Sequence, residues 1–131
     1  MKALLCNRFG FWLRLYHDER LVREYRCAVG QPGHETPQGI YAIRNRAPDP
    51  DWWLPDEEWV PEQLRGTVIP PGPNNPIKSR WLGIHDGVGI HGTDAEASIG
   101  TPASHGCIRL TVPDVEDLFE QVPVETPVLI V

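Results

Sequence analysis

The 131-residue chain reads as a mainly β domain, a small β-sandwich or barrel-like sheet with one short helix near residues 113–122. Three observations predict this class. Fourteen prolines and twelve glycines are spread along the whole chain, which divides it into many short segments and argues against a helical bundle. Phe11, Leu13 and Leu15 alternate with Trp12, Arg14 and Tyr16, the two-residue period of a half-buried strand. After Pro113 the period changes, and Val115, Leu118, Phe119 and Val122 fall on one helical face.

Taken in order, residues 2–7, 11–17 and 21–29 are predicted strands, with the Asp18-Glu19-Arg20 link as a hairpin turn. Cys6 and Cys27 lie on these strands and are expected as core or sheet residues, with a bridge between them as the alternative. Residues 30–39 form a Gly/Pro loop on which His34 is expected to be solvated, and residues 40–44 resume a strand. Residues 45–76 mix prolines and acidic groups with Trp52, Trp53 and Trp59, and are expected to form a long excursion rather than regular structure. Strands return at about 80–84 and 88–91. The helix then starts with Pro113 near its first turn, where a missing N–H does no harm, and residues 128–131 complete a last strand. No repeat, low-complexity tract or linker appears, so residues 1–131 make a single domain, large enough to bury a core without staples.

The charge balance narrows the partners. Twelve Lys and Arg against eighteen Asp and Glu give a formal charge of −6 with no basic stripe, which excludes nucleic acid and anionic membrane surfaces as expected partners. No apolar run approaches the roughly eighteen residues of a membrane span. The start, Met1-Lys2-Ala3-Leu4-Leu5-Cys6 followed at once by Asn7-Arg8, lacks the apolar core and cleavage site of a secretion signal. Three cysteines do not make a disulfide framework, and a monomer is the expected state.

Chemistry concentrates in Ser104-His105-Gly106-Cys107-Ile108-Arg109-Leu110 and the earlier Ile90-His91-Gly92-Thr93. A free thiol is only a few per cent thiolate near neutral pH, so a nucleophilic Cys107 needs a base or a cation beside it, and His suits both tasks. His91 precedes Cys107 by too many residues to share a helix face with it, but two strands can bring them together at their ends. Gly106 lets a substrate backbone approach, and the N–H groups of Gly106 and Cys107 are candidate oxyanion donors. Arg109 adds a fixed positive charge that either holds a substrate carboxylate or pairs with an acid inside the protein. Ser104 is expected to hydrogen-bond within the loop beside the substrate. The competing reading is a zinc site built from His85, His91, His105 and Cys107, although their spacing fits poorly with paired zinc knuckles.

These two motifs, together with Ala28-Val29-Gly30, Glu35-Thr36-Pro37-Gln38-Gly39-Ile40-Tyr41, Asn75-Pro76-Ile77, Ser98-Ile99-Gly100 and Thr126-Pro127-Val128 in this order, resemble the L,D-transpeptidase (YkuD-type) catalytic domain over nearly the whole chain. The resemblance implies a peptidoglycan enzyme of the cell envelope without cofactor or metal. In it Cys107 takes the acyl group of a donor stem peptide as a thioester and releases D-Ala. It then passes that group to an acceptor amine, or to water as an L,D-carboxypeptidase. His91 would be the base, the backbone carbonyl of Gly92 would orient it, and His105 would stand beside the sulfur. Carbapenem-type β-lactams would acylate the same thiol. Trp52, Trp53 and Trp59 would serve as a substrate-selecting lid, or simply pack the excursion onto the sheet, and a non-catalytic wall-binding module would keep them without needing the His-Cys pair. Lys78 stands where members of the family often carry glycine.

Overall fold

The computed structural model describes residues 1–131. Strands β1 (Lys2–Asn7) and β2 (Trp12–His17) form a hairpin, and β2 turns through Asp18 and Glu19 into β3 (Arg20–Arg26). Both turn residues have positive φ, at 50° and 69°, the backbone of the two-residue hairpin turn whose twist matches that of the strands. The strand expected over 21–29 ends at Arg26 because the chain changes partners there. Its continuation, β4 (Val29–Gly30), pairs elsewhere.

Next come β5 (Gly39–Ala42), β6 (Asn45–Pro48), β7 (Trp52–Trp53) and β8 (Val68–Ile69). They are followed by β9 (Lys78–His85), β10 (Val88–Thr93), β11 (Pro102–Ser104) and β12 (Ile108–Thr111). Helix α1 (Val112–Gln121) and β13 (Pro127–Ile130) complete the chain. One sheet has the order β3-β2-β1-β13-β5 and the other β12-β10-β9-β6, while β11-β4 and β7-β8 form small ribbons. The predicted mainly β sandwich with one helix is therefore the observed architecture.

The inner faces follow the alternation read from the sequence. Leu4, Cys6, Leu13, Leu15, Val128 and Ile130 from the first sheet meet Leu82, Ile84, Ile90, Ile108 and Leu110 from the second. Helix α1 adds Val115, Leu118 and Phe119 to this core, with Val122 just beyond its end. Thr111 caps the helix by accepting from the Asp114 N–H, and Pro113 lies in its first turn. Cys6 and Cys27 are both 0% exposed and free, so they pack the core as unbridged thiols.

The stretch 45–76 departs from the expectation of an irregular excursion. Asn45–Pro48 is an edge strand paired to β9, and Trp52–Trp53 pairs with Val68–Ile69. Asn75 closes the base of this flap: its side-chain amide donates to the carbonyls of Pro50 and Ile69, and its oxygen accepts from the Ile77 N–H. With buried Leu54 and Val60 as a miniature core, and Arg65 donating to the carbonyls of Glu57 and Val60, the flap has a defined shape of its own.

Candidate active site

One row across the outer face of the second sheet makes the floor of the site. Strands β10 and β12 are parallel, with His91 opposite Arg109, and β9 runs antiparallel to β10, with Trp81 opposite His91. Ala47 of β6 faces Trp81 in turn. Because side chains alternate between faces, the neighbouring row Ile108, Ile90 and Leu82 enters the core, and Arg109, His91, Trp81 and Ala47 share the opposite face. All four line a cavity of about 630 Å³ that also takes in Cys107, His105 and the flap tryptophans.

Cys107 sits one residue before β12, so it reaches the same face as Arg109, diagonally beside His91. The position opposite it on β10 is Gly89, over which the Trp81 ring lies: a Cβ there would come within 2.6 Å of that ring. Gly89 thus leaves space above the sheet, and its N–H dipole acts on the Cys107 sulfur in favour of the thiolate. The thiol proton points to the carbonyl of Gly87, at 3.6 Å.

His91 is 6% exposed, and its Nδ1 lies 2.7 Å from the carbonyl oxygen of Gly92. A carbonyl only accepts, so Nδ1 carries the proton and Nε2 keeps a bare lone pair. That carbonyl is aimed by a bulge between His91 and Gly92, and glycine is required there because a Cβ would meet the Lys78 carbonyl oxygen at 2.5 Å. Burial pushes His91 down to about 4, with nearby Arg109 acting the same way against the hydrogen bond to Gly92. Burial raises the Cys107 thiol, against the Gly89 N–H and the Arg109 charge, which lower it. Both shifts favour the neutral forms.

The nucleophile loop is held from within. Ser104, 1% exposed, donates its hydroxyl to the Cys107 carbonyl at 2.6 Å and accepts from the Gly106 N–H at 3.1 Å. This corrects one expectation and bears out another. The Gly106 N–H is committed to Ser104, so of the two candidate oxyanion donors only the Cys107 N–H is free of hydrogen bonds within the protein. Ser104 hydrogen-bonds within the loop, as expected, and both of its bonds shape that loop. Gly106 has φ +125°, so backbone conformation rather than space demands glycine there.

Arg109 forms no ion pair with any acid of the chain, which removes the internal-partner alternative and leaves a half-buried cation beside the sulfur. His105 is exposed but meets the flap on one face: the Trp59 ring stacks on it at 3.9 Å with 4° between planes, and His34 meets it edge-on at 4.9 Å. Desolvation, His34 and Arg109 all lower its pKa. His34 is therefore a wall of the cavity, not merely a solvated loop residue. Trp52 and Trp53 also border the cavity, with Trp53 66% exposed.

His85 lies outside the cavity, beside Asp86 at 3.4 Å, and the four residues of the zinc reading are not gathered; no cluster of three or more His, Cys, Asp or Glu is arranged to hold a metal. Lys78 also points away, its amine on the Gly72 carbonyl and 3.6 Å from Asp94. Trp81 and Gly89 were not singled out by sequence reasoning. Their place depends on a bulge between Val88 and Gly89 that shifts the hairpin register by one, so that Trp81 rather than Leu82 faces His91.

Residues 7–130 match the family model of YkuD, the L,D-transpeptidase catalytic domain. The chain is 35% identical over 127 residues to the "Probable L,D-transpeptidase ErfK/SrfK" of Escherichia coli strain K12, covering 91% of this chain and 41% of that protein. It therefore spans about two fifths of the length of this curated relative. The NMR structure of the catalytic domain from the E. faecium L,D-transpeptidase is similar with a TM-score of 0.77 at 25% identity, covering 100% of this chain and 97% of that one. L,D-transpeptidase 3 from Mycobacterium tuberculosis, in complex with a faropenem-derived adduct, has the same fold with a TM-score of 0.76 at 18% identity, covering 98% and 59%.

Proposed function

Starting from the fact that the chain belongs to the L,D-transpeptidase catalytic-domain family, we propose that it catalyses acyl transfer between peptidoglycan stem peptides through a thioester on Cys107, in the cell envelope. The observation that carries this reading is that one cavity holds the Cys107 thiol, His91 with a bare Nε2 and Arg109 without an acidic partner, while no group of the protein occupies the Cys107 N–H.

Because burial favours the neutral thiol and the neutral imidazole, the thiol proton passes to His91 Nε2 as the sulfur attacks the donor carbonyl, so general-base transfer accompanies bond formation. The new S–C bond places negative charge on the former carbonyl oxygen, where the Cys107 N–H meets it. Collapse breaks the C–N bond, and His91 returns the proton to the departing D-Ala amine. In the second half an acceptor amine attacks the thioester and loses its proton to His91, which hands it to the leaving sulfur.

Arg109 steadies the developing charge near the sulfur or engages the donor's terminal carboxylate, both tasks open to an unpaired cation. The flap, with Trp59 stacked on His105, shields the acyl group from water while the second stem enters. The faropenem-derived adduct described for the M. tuberculosis protein supports a β-lactam as a probe of the same step.

The test is to incubate the protein with a tetrapeptide stem and follow products by mass spectrometry. Cross-linked dimer with release of D-Ala is the expected result, tripeptide alone would assign an L,D-carboxypeptidase, and full activity in Cys107→Ser would overturn the thioester.

A further inference from the structure

The oxyanion donor assigned to Cys107 is useful only if its peptide is held in one orientation, and the structure contains a specific device for that. A trans peptide is planar, so the carbonyl of Gly106 and the N–H of Cys107 point in opposite directions from one rigid unit. Gly106, with φ +125°, is the most permissive residue of the loop, and nothing intrinsic to glycine fixes this unit. What holds it is Thr36, seventy residues away in sequence: its hydroxyl donates to the Gly106 carbonyl at 2.8 Å.

The polarity of this contact is forced. The same hydroxyl oxygen accepts from the Gly30 N–H at 2.9 Å, so its single proton is left for the Gly106 carbonyl. Thr36 is itself 1% exposed, which shelters both bonds from competing water. It cannot drift, because the loop that carries it folds hard against β4. A Cβ on Gly30 would lie 2.0 Å from the His34 carbonyl oxygen and 2.6 Å from the Thr36 nitrogen. Strand β4 in turn pairs with β11, which leads into the nucleophile loop, and the Gln31 N–H donates to the Ser104 carbonyl. Thr36 and Cys107 are thus two ends of one short, doubly anchored structure.

We propose that Thr36 is a positioning residue for acyl transfer, its hydroxyl clamping the Gly106 carbonyl so that the Cys107 N–H is presented to the carbonyl oxygen under attack. The proposal rests on the thioester reading of Cys107. Ser104 acts on the other bonds of the loop, and the division of labour is clear from the atoms involved. Ser104 takes the Gly106 N–H and the Cys107 carbonyl, while Thr36 takes the carbonyl between them.

Two reactions of the same thiol separate this role from general support of the fold. Acylation of Cys107 by faropenem develops an oxyanion, whereas alkylation by iodoacetamide displaces iodide from a saturated carbon and develops none. Thr36→Val keeps the shape and removes the hydroxyl. It should slow acylation by about ten- to a hundredfold, somewhat less than the loss of a complete oxyanion donor, and leave alkylation within about twofold of wild type. Thr36→Ser restores the hydroxyl and should return acylation close to wild type.

Should the valine variant not fold, Thr36→Ala leaves room for water and should show the same separation of the two rates. Wild-type acylation rates in both hydroxyl-free variants, parallel loss of acylation and alkylation, or a serine variant as slow as valine would each overturn the positioning role. Failure of the wild-type protein to be acylated at all would instead overturn the thioester reading, and the role of Thr36 with it.

Discussion

Replacing His91 with Asn removes the one buried imidazole of the site while leaving a neutral amide in its place, and the structure sets the size and sign of the effect on stability. Burial holds the folded-state pKa at about 4, below the ordinary value of 6.5 that the unfolded chain recovers. Between these values the unfolded state binds the proton and the folded state does not, so acid favours unfolding. The contribution is fully present above about pH 6.5 and is lost as the pH falls toward 4. At about 1.4 kcal/mol per pH unit this comes to about 3 kcal/mol by pH 4.

Urea unfolding of both proteins from pH 7.5 to pH 4 supplies the measurement. Wild type should lose about 3 kcal/mol more than His91→Asn over that interval. Asp18 and Glu35, whose pKa values are held low by hydrogen bonds from the N-terminal amine and from backbone N–H groups respectively, also weaken the fold in acid. They are present in both proteins and cancel in the difference. Parallel pH profiles, or a wild-type protein that gains on the variant in acid, would refute a buried neutral His91 and the general-base account built on it.

Two further outcomes rest on the same geometry. Trp59→Ala removes the ring stacked on His105 and should shift the products of a tetrapeptide stem from cross-linked dimer toward tripeptide, read by mass spectrometry; equal loss of both would confine the flap to the shared acylation step or to the fold. Arg109→Met keeps an apolar stem and removes the charge that lowers the Cys107 thiol, so the pH midpoint of iodoacetamide alkylation should move up; a midpoint unchanged or lowered would place that charge away from the sulfur.

What could be read from the sequence was whatever is local or periodic. The alternation over 11–16 gave β2 its inward Leu13 and Leu15, and the spacing of Val115, Leu118 and Phe119 gave the helix its buried face. The thiol and imidazoles were legible because they are rare groups in a short span. Strand β6 was missed because Asn45-Arg46-Ala47-Pro48 has no β-branched or aromatic residue and owes its structure to pairing with β9. β7 and β8 have only two residues each and exist because Asn75 pins the ends of the flap together.

The site was blurred for related reasons. A one-residue bulge decides that Trp81 joins the row of the candidate site, and no composition signal announces it. The Gly106 N–H was misread as an oxyanion donor because the sequence does not reveal that Ser104, two residues back, already occupies it. Thr36 lies inside a motif whose Thr-Pro pair reads as an ordinary turn, and its tie to Gly106 across seventy residues belongs to the tertiary fold. The downward shift of His91 likewise depends on how deeply that ring is buried, a property of the assembled sheets.

The central claim is that Cys107 is the acyl carrier, and one measurement addresses it directly: mass spectrometry of the intact protein after incubation with faropenem or a carbapenem, followed by peptide mapping. Cys6 and Cys27 are 0% exposed in the core, whereas Cys107 opens onto the cavity, so a single acyl adduct should map to the peptide carrying Cys107 and be missing from Cys107→Ser. An adduct on Cys6 or Cys27, or undiminished acylation of Cys107→Ser, would contradict the account.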